Sequence, residues 1–209
     1  MSDKKENHFD KKAAEWDANF ARKELTSAIA KAVGEMCVLT PEMKVLEYGC
    51  GTGNLSFQLS RHVGKIIAAD SSRGMIEQLE KKIADSPGCN ITSKFLDLTD
   101  GAVVEDKFDL IASAMTLHHV EDTAGLLKTL VSLLSEGGQL LLADLCEEDG
   151  SFHTDMTVPH NGFNPKSLEK QLCSIGMKNC KWKIVHNIER NARKYPIFAI
   201  SAETMKRTA

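Results

Sequence analysis

The 209-residue sequence has little that would send it to a membrane, a secretory route or a nucleic acid. No apolar run approaches the roughly 20 residues needed to cross a bilayer. Met1 to Asn7 carries charges with no apolar stretch behind them, so no secretory leader is expected and a cytoplasmic location is. There is no surplus of positive charge. The 26 Lys and Arg stand against 29 Asp and Glu, a net charge of −3, which offers no bulk attraction to a phosphate backbone. The local basic group Lys178, Lys181, Lys183, Arg190, Arg193 and Lys194 reads as a solvated hairpin edge protected against pairing. No Cys-x-x-Cys occurs. Cys37, Cys50, Cys89, Cys146, Cys173 and Cys180 are scattered without a histidine at ligand spacing, so they read as free thiols and no metal is expected. With five prolines, no repeat and no low-complexity tract, nothing divides the chain in two.

What is present is an alternation of short strands and amphipathic helices. Residues 8 to 22 hold His8, Phe9, Trp16 and Phe20 among charges, a short helix that could lie over the domain. Leu25, Ile29, Ala32, Val33 and Met36 follow at helical spacing, ending before Pro41. Strands are expected at 44–48, at 65–70 as a buried parallel type, at 91–96, at 108–114 and at 139–143. Helices lie between them, with Ser71 or Ser72 and later Asp122 as caps. The helix carrying Leu126, Leu127, Leu130, Leu133 and Leu134 is expected to stop at Gly137-Gly138. Asn164-Pro165 opens a last helix that Gly176 ends, and strands at about 180–188 and 195–202 suit a hairpin. The fold class is therefore α/β: a doubly wound, mostly parallel seven-stranded sheet with a C-terminal antiparallel hairpin strand.

Glycines after the first strand of such a sheet let bare backbone approach a ligand at the strand carboxyl ends. Gly49-Cys50-Gly51-Thr52-Gly53 occupies that turn. A nicotinamide fingerprint would want a third glycine where Asn54 stands, and a P-loop would want Gly-Lys-Ser/Thr. Asp70 closes the second strand, where an acid can accept from both ribose hydroxyls of an adenosine, or can simply cap a helix.

Val45 to Gly53 resembles motif I of the class I, Rossmann-like S-adenosylmethionine-dependent methyltransferases. The resemblance extends in order through Asp70, Asp97-Leu98, Phe108 to Ile111 with Leu117-His118-His119-Val120, and Leu133 to Gly138, covering about residues 43 to 145. Tyr48, where an aliphatic is usual, and Ser135-Glu136, where Lys/Arg-Pro is common, depart from the pattern. The resemblance implies a single domain overall, with residues 1–40 a helical cap and 41–209 the Rossmann-like part. It also implies S-adenosyl-L-methionine as cofactor. Glu47, Gly49, Cys50, Gly51 and Gly53 would form the wall at its methionine end, with Glu47 acting on the ammonium and Ser113 offering a carbonyl nearby. Asp70 would bind the ribose, Ser71 and Met75 would flank the adenine, and Asp97 with the Leu98 amide would meet its amino group.

Methyl transfer from a sulfonium is an in-line displacement with a good leaving group, so the protein chiefly aligns and dries the reactants. A base is needed only when the nucleophile arrives protonated. His118 and His119, after the fourth strand, are candidates for that role or for fixing the loop; His153 and His160 lie in a later polar segment. Asp144, Glu147 and Asp149 beside those histidines could also suggest a metal, but at no recognised spacing. Trp16 and Phe20 could close over the cofactor or simply pack. The expected partner is a small-molecule methyl acceptor with an O, N or S nucleophile. A non-catalytic adenosyl-binding protein and a nicotinamide oxidoreductase are the competing readings.

Overall fold

The computed structural model describes residues 8–190 and 192–206. The described residues begin with a one-turn helix, α1 (His8–Lys12), a 3-10 segment (Ala13–Ala18) and a long helix, α2 (Phe20–Met36). Strands and helices then alternate: β1 (Lys44–Tyr48), α3 (Asn54–Leu59), β2 (Lys65–Asp70), α4 (Arg73–Ala84), β3 (Ile91–Phe95), β4 (Phe108–Ala114), α5 (Thr123–Ser132) and β5 (Leu134–Leu145). Helix α6 (Pro165–Ser174) precedes the hairpin β6 (Lys178–Arg190) and β7 (Arg193–Glu203). The sheet order is β3-β2-β1-β4-β5-β7-β6. The first five strands pair in parallel, and β7 runs antiparallel to both β5 and β6. This is the expected doubly wound sheet with one reversed strand.

Period-two side-chain alternation divides the central strands between two cores. Val45, Ile66, Ala68, Leu110, Ala112 and Leu141 face one side, under Leu25, Ile29 and Val33 of α2, Leu55 and Leu59 of α3, and Leu79 of α4. Leu46, Ile67, Ile111, Leu140 and Leu142 face the other, under Leu126, Leu127 and Leu130 of α5 and Leu168 and Leu172 of α6. Three helices begin where the sequence predicts a start, and α2 begins after Asn19, inside the stretch expected to be one short helix. Ser72, Asp122 and Asn164 each accept an amide of the first turn, at 3.2, 2.8 and 3.0 Å, and Asn19 does the same for α2.

One boundary differs from the sequence expectation. Helix α5 ends at Ser132, and Leu134 already belongs to β5, so Gly137-Gly138 lie inside a strand rather than stopping a helix. The pairing of β5 with β4 is irregular between Phe108 and Leu110 and regular from Gln139 onward. The two glycines sit at that irregularity, where a missing side chain allows the strand to bend. Lys183, on the edge strand β6, forms an ion pair with Glu35 of α2, so part of the basic hairpin face is engaged with the domain itself.

Candidate active site

In an open α/β sheet the ligand crevice forms where neighbouring crossovers leave in opposite directions. Here that place is the carboxyl edge of β1, which pairs with β2 on one side and β4 on the other. The turn after β1 is held down by its neighbours: the Gly49 and Cys50 amides both donate to the Ala69 carbonyl, at 2.8 and 3.0 Å. Gly49 has φ +73°, and a Cβ there would stand 2.1 Å from Thr116 Oγ1. Only glycine satisfies both the left-handed backbone and the contact with the loop after β4.

Asp70, at the end of β2, accepts from the Gly51 amide at 2.7 Å through one oxygen and from the Ser72 amide at 2.8 Å through the other. Burial outweighs these bonds and pushes its carboxyl upward from the usual range. Each oxygen keeps a further acceptor site. The cap of α4 is Ser72 rather than Asp70, which instead holds the Ser72 amide from just before the helix.

Glu47 lies 2% exposed on β1 and accepts from the Ser56 hydroxyl. Burial drives its carboxyl up to about 8. A buried acid at a strand end is stabilised in its charged form by an incoming cation. Tyr48, the departure from the usual aliphatic, sends its hydroxyl under Leu98, whose amide donates to it at 3.4 Å. The Leu98 amide is thus already engaged. Asp97 accepts from the Thr99 amide and hydroxyl, at 2.9 and 2.6 Å, and shapes the turn after β3. Ser113 donates its hydroxyl to the Tyr48 carbonyl at 2.8 Å, tying β4 to β1. Ser71 is exposed, while Met75 is 1% exposed beneath the glycine turn. Cys50 is buried and its thiol is pushed well above its usual range. Gly53 precedes α3 and rests on Leu79 of α4.

The N-terminal segment supplies what the sequence reading missed. Asp10 accepts from Ser72 Oγ at 2.6 Å and from the Gly74 amide at 2.9 Å. Asp17 accepts from Thr52 Oγ1 at 2.6 Å and Asn54 Nδ2 at 2.7 Å, and pairs with Lys82 at 2.9 Å. The two acids pin the segment across the carboxyl ends of β1 and β2. Trp16 is carried over the glycine turn: a Cβ on Gly51 would lie 3.6 Å from Trp16 Nε1 and 4.0 Å from Met75 Sδ. Phe20 parts company with it, 71% exposed at the start of α2, and closes over nothing. The available sequence signal was an aromatic-acid pair repeated at Phe9-Asp10 and Trp16-Asp17, a spacing close to two helical turns.

Phe9 packs edge-on against both Trp16 and His119, at 5.9 and 4.9 Å between ring centroids. An aromatic row thus runs from the glycine turn to the loop after β4, where three histidines meet. His118, His119 and His153 can each direct one ligand atom to within 4.8 Å of the others. His118 is 1% exposed, and its Nδ1 lies 2.6 Å from Asp144 Oδ1 at the end of β5. A carboxylate only accepts, so Nδ1 carries a hydrogen, and in the neutral ring Nε2 is then the nitrogen with the lone pair. Burial, then His118 and His153, press His119 down to about 3, and burial first among its causes lowers His153 as well. The other polar residues of this segment do not join them. His160 turns its ring to the Glu121 carbonyl at 3.3 Å. Asp149 pairs with Arg193 at 2.7 Å, and Glu147 is exposed. The carboxylates that the sequence placed beside the histidines are therefore dispersed, apart from Asp144.

Comparisons with known proteins bear on the fold and the family likeness. The family model of the methyltransferase domain matches residues 45–138. Phosphoethanolamine N-methyltransferase 1 of Zea mays is 34% identical over 54% of this chain and 22% of its own length. Malonyl-[acyl-carrier protein] O-methyltransferase of Magnetococcus marinus is 35% identical over 62% of this chain and 50% of its own length. The chain thus spans half or less of the length of these two relatives. The solved DhpI–SAH complex, 22% identical, superposes with a TM-score of 0.73 over 96% of this chain and 95% of that one. Residues 45–138 thus match the methyltransferase-domain model, and the chain has the Rossmann-like fold of that solved complex.

Proposed function

We propose that the chain transfers a methyl group from S-adenosylmethionine to an O, N or S nucleophile of a small molecule. The observation that carries this reading is the joining of Asp70 to the Gly51 amide, with Glu47 buried at the neighbouring strand end. The residues fit the cofactor. Glu47 gains a counter-charge from an ammonium, Asp70 has acceptor sites for two hydroxyls, and Gly51 presents bare backbone between Trp16 and Met75. The bound cofactor supplies an electrophilic methyl on a sulfonium. The chain's own part is to hold that group in line, to exclude water with Trp16 and Phe9, and to place the acceptor near His118, His119 and His153. Their ring nitrogens can accept a hydrogen bond from an incoming nucleophile, with His119 a weak base because burial holds it near 3.

A small acceptor is supported by the names of relatives that act on phosphoethanolamine and by the net charge of −3. The segment pinned by Asp10 and Asp17 across the strand ends also narrows the approach. Calorimetric titration with S-adenosylmethionine, its demethylated product and NADH tests the cofactor, and transfer of labelled methyl into a metabolite pool tests turnover. Binding of both adenosyl ligands and label in a small product are expected. Binding of NADH in their place overturns the reading, and adenosyl binding without any labelled product reduces it to a cofactor-binding protein.

A further inference from the structure

Two of the three clustered histidines, His118 and His153, hold buried Nε2 atoms with no hydrogen-bond partner. Buried polar nitrogens are normally satisfied, so an unpartnered pair in one cluster calls for an explanation. The three rings lie close, with centroids 4.0 Å apart for His118 and His119 and 5.0 Å for His118 and His153. Ring packing alone would not require their nitrogens to converge. The hydrogen on His118 Nδ1 is committed to Asp144, which leaves the Nε2 lone pair for the cluster. An acid that orients an imidazole through one nitrogen and leaves the other unpartnered is the usual second shell of a metal-bound histidine.

We propose that His118, His119 and His153 form a binding site for a divalent transition cation of the Zn²⁺ type, with Asp144 as the positioning residue behind His118. The donor set decides the class of cation. Three imidazoles suit Zn²⁺ and its neighbours, whereas Mg²⁺ and Ca²⁺ want oxygen ligands. Ligand atoms within 4.8 Å of one another need to close by up to about 1.5 Å to reach the roughly 3.3 Å spacing that Zn–N bonds of about 2.0 Å impose in a tetrahedron. His153 lies in the irregular segment between β5 and α6, where such a shift needs only a small adjustment of one loop. Three protein ligands leave a coordination position for an oxygen, nitrogen or sulfur atom, the arrangement of an open site rather than a closed structural one. The site lies at the far end of the aromatic row that starts over the glycine turn. It does not depend on methyl transfer being the activity.

The test is a titration of the chelator-stripped full chain with ZnCl₂, with Co²⁺ absorption as a report on geometry. Cys173 and Cys180 have sulfurs 3.4 Å apart and could take zinc themselves, so the titration is made in a Cys173→Ser, Cys180→Ser chain. One Zn²⁺ per chain and a Co²⁺ spectrum of a four- or five-coordinate site are expected, with no comparable uptake of Mg²⁺. His119→Ala and His153→Ala should each lower the affinity at least tenfold, and Asp144→Asn about ten- to a hundredfold. Circular dichroism and melting confirm that each variant is folded, and His153→Ala, on a loop, is the one least exposed to misfolding. Asp70→Ala, which addresses the cofactor cleft, should leave Zn²⁺ binding unchanged, so failure of the cofactor reading and failure of the metal site are told apart. Absence of stoichiometric Zn²⁺ binding overturns the proposal, as does binding that survives both His119→Ala and His153→Ala unaltered.

Discussion

Gly51 and Asp70 are joined by a 2.7 Å hydrogen bond from the backbone amide of one to the carboxylate of the other. The acid at the end of β2 therefore does two things at once: it fixes the glycine turn after β1 and presents its remaining acceptor sites beside that turn. Asp70→Ala removes both. Loss of charged hydrogen bonds to a ligand is on the order of a tenfold or greater loss of affinity. Calorimetry with S-adenosylmethionine should show that drop, and Asp70→Asn, which keeps the oxygen toward Gly51 but not the charge, should fall between. An unchanged affinity would remove Asp70 from the site.

Glu47 makes stability depend on pH in a defined direction. Its folded pKa, about 8, is above the ordinary carboxylate value of 4.5, so the native chain holds a proton that the unfolded chain has released. This contribution is fully present below about 4.5 and is lost as pH rises through about 8, at a total cost on the order of a few kcal/mol. Asp70, also raised, acts in the same sense. Asp17 and Asp149, whose values are lowered, are ionised in both states well before pH 7 and add no slope above it. Urea midpoints should therefore fall between pH 7 and 9, and Glu47→Gln should flatten that fall. On the proposed reading an adenosyl ligand brings its ammonium to the same carboxylate, so titrations near pH 7 in buffers of different ionisation enthalpy should show release of a proton. That release should disappear in Glu47→Gln.

Much of this cleft was legible in the sequence because its parts are local. Strand β1, the glycine turn and Asp70 announce themselves by apolar runs broken at fixed places, and Ser72, Asp122 and Asn164 cap helices within three residues of where they stand. The rest needed tertiary contacts. His153 reaches His118 across an irregular segment in which no periodicity survives, and two acids of that segment, Glu147 and Asp149, are exposed. Asp10 and Asp17 were not singled out, because their partners lie 35 or more residues away. Gly137-Gly138 was misplaced for a different reason: glycine stops helices and also tolerates a bent strand, and composition does not separate the two.

Gly49 offers a test of backbone geometry alone. A side chain there meets Thr116 and must also adopt φ +73°, a conformation costing an L-residue about 1–2 kcal/mol. Gly49→Ala should lower the melting temperature and reduce adenosyl binding by more than tenfold. Adding Thr116→Gly relieves the contact but leaves the backbone strain, so the double variant should recover part of the stability and not all of it. Full recovery would place the whole effect in the clash, and none would place it in the backbone.

The pinned N-terminal segment should act on the rate at which the cofactor leaves. Asp10 holds the start of α4, and Asp17 holds Thr52, Asn54 and Lys82, while the hydrophobic cores under α2 do not depend on either acid. The Asp17–Lys82 pair is about a third exposed, so by itself it adds little; the hydroxyl, amide and backbone partners make the attachment cooperative. Asp10→Ala with Asp17→Ala should therefore leave the global melting temperature within a few degrees of the parent. The same change should free Trp16 from Gly51, expose the 13–19 stretch to limited proteolysis, and raise the dissociation rate of the adenosyl ligand about tenfold with a smaller effect on association. Stopped-flow measurement of ligand release reads this directly. If release is unchanged while proteolysis increases, the segment is a packed covering and not a gate, and Trp16 contributes only its apolar surface.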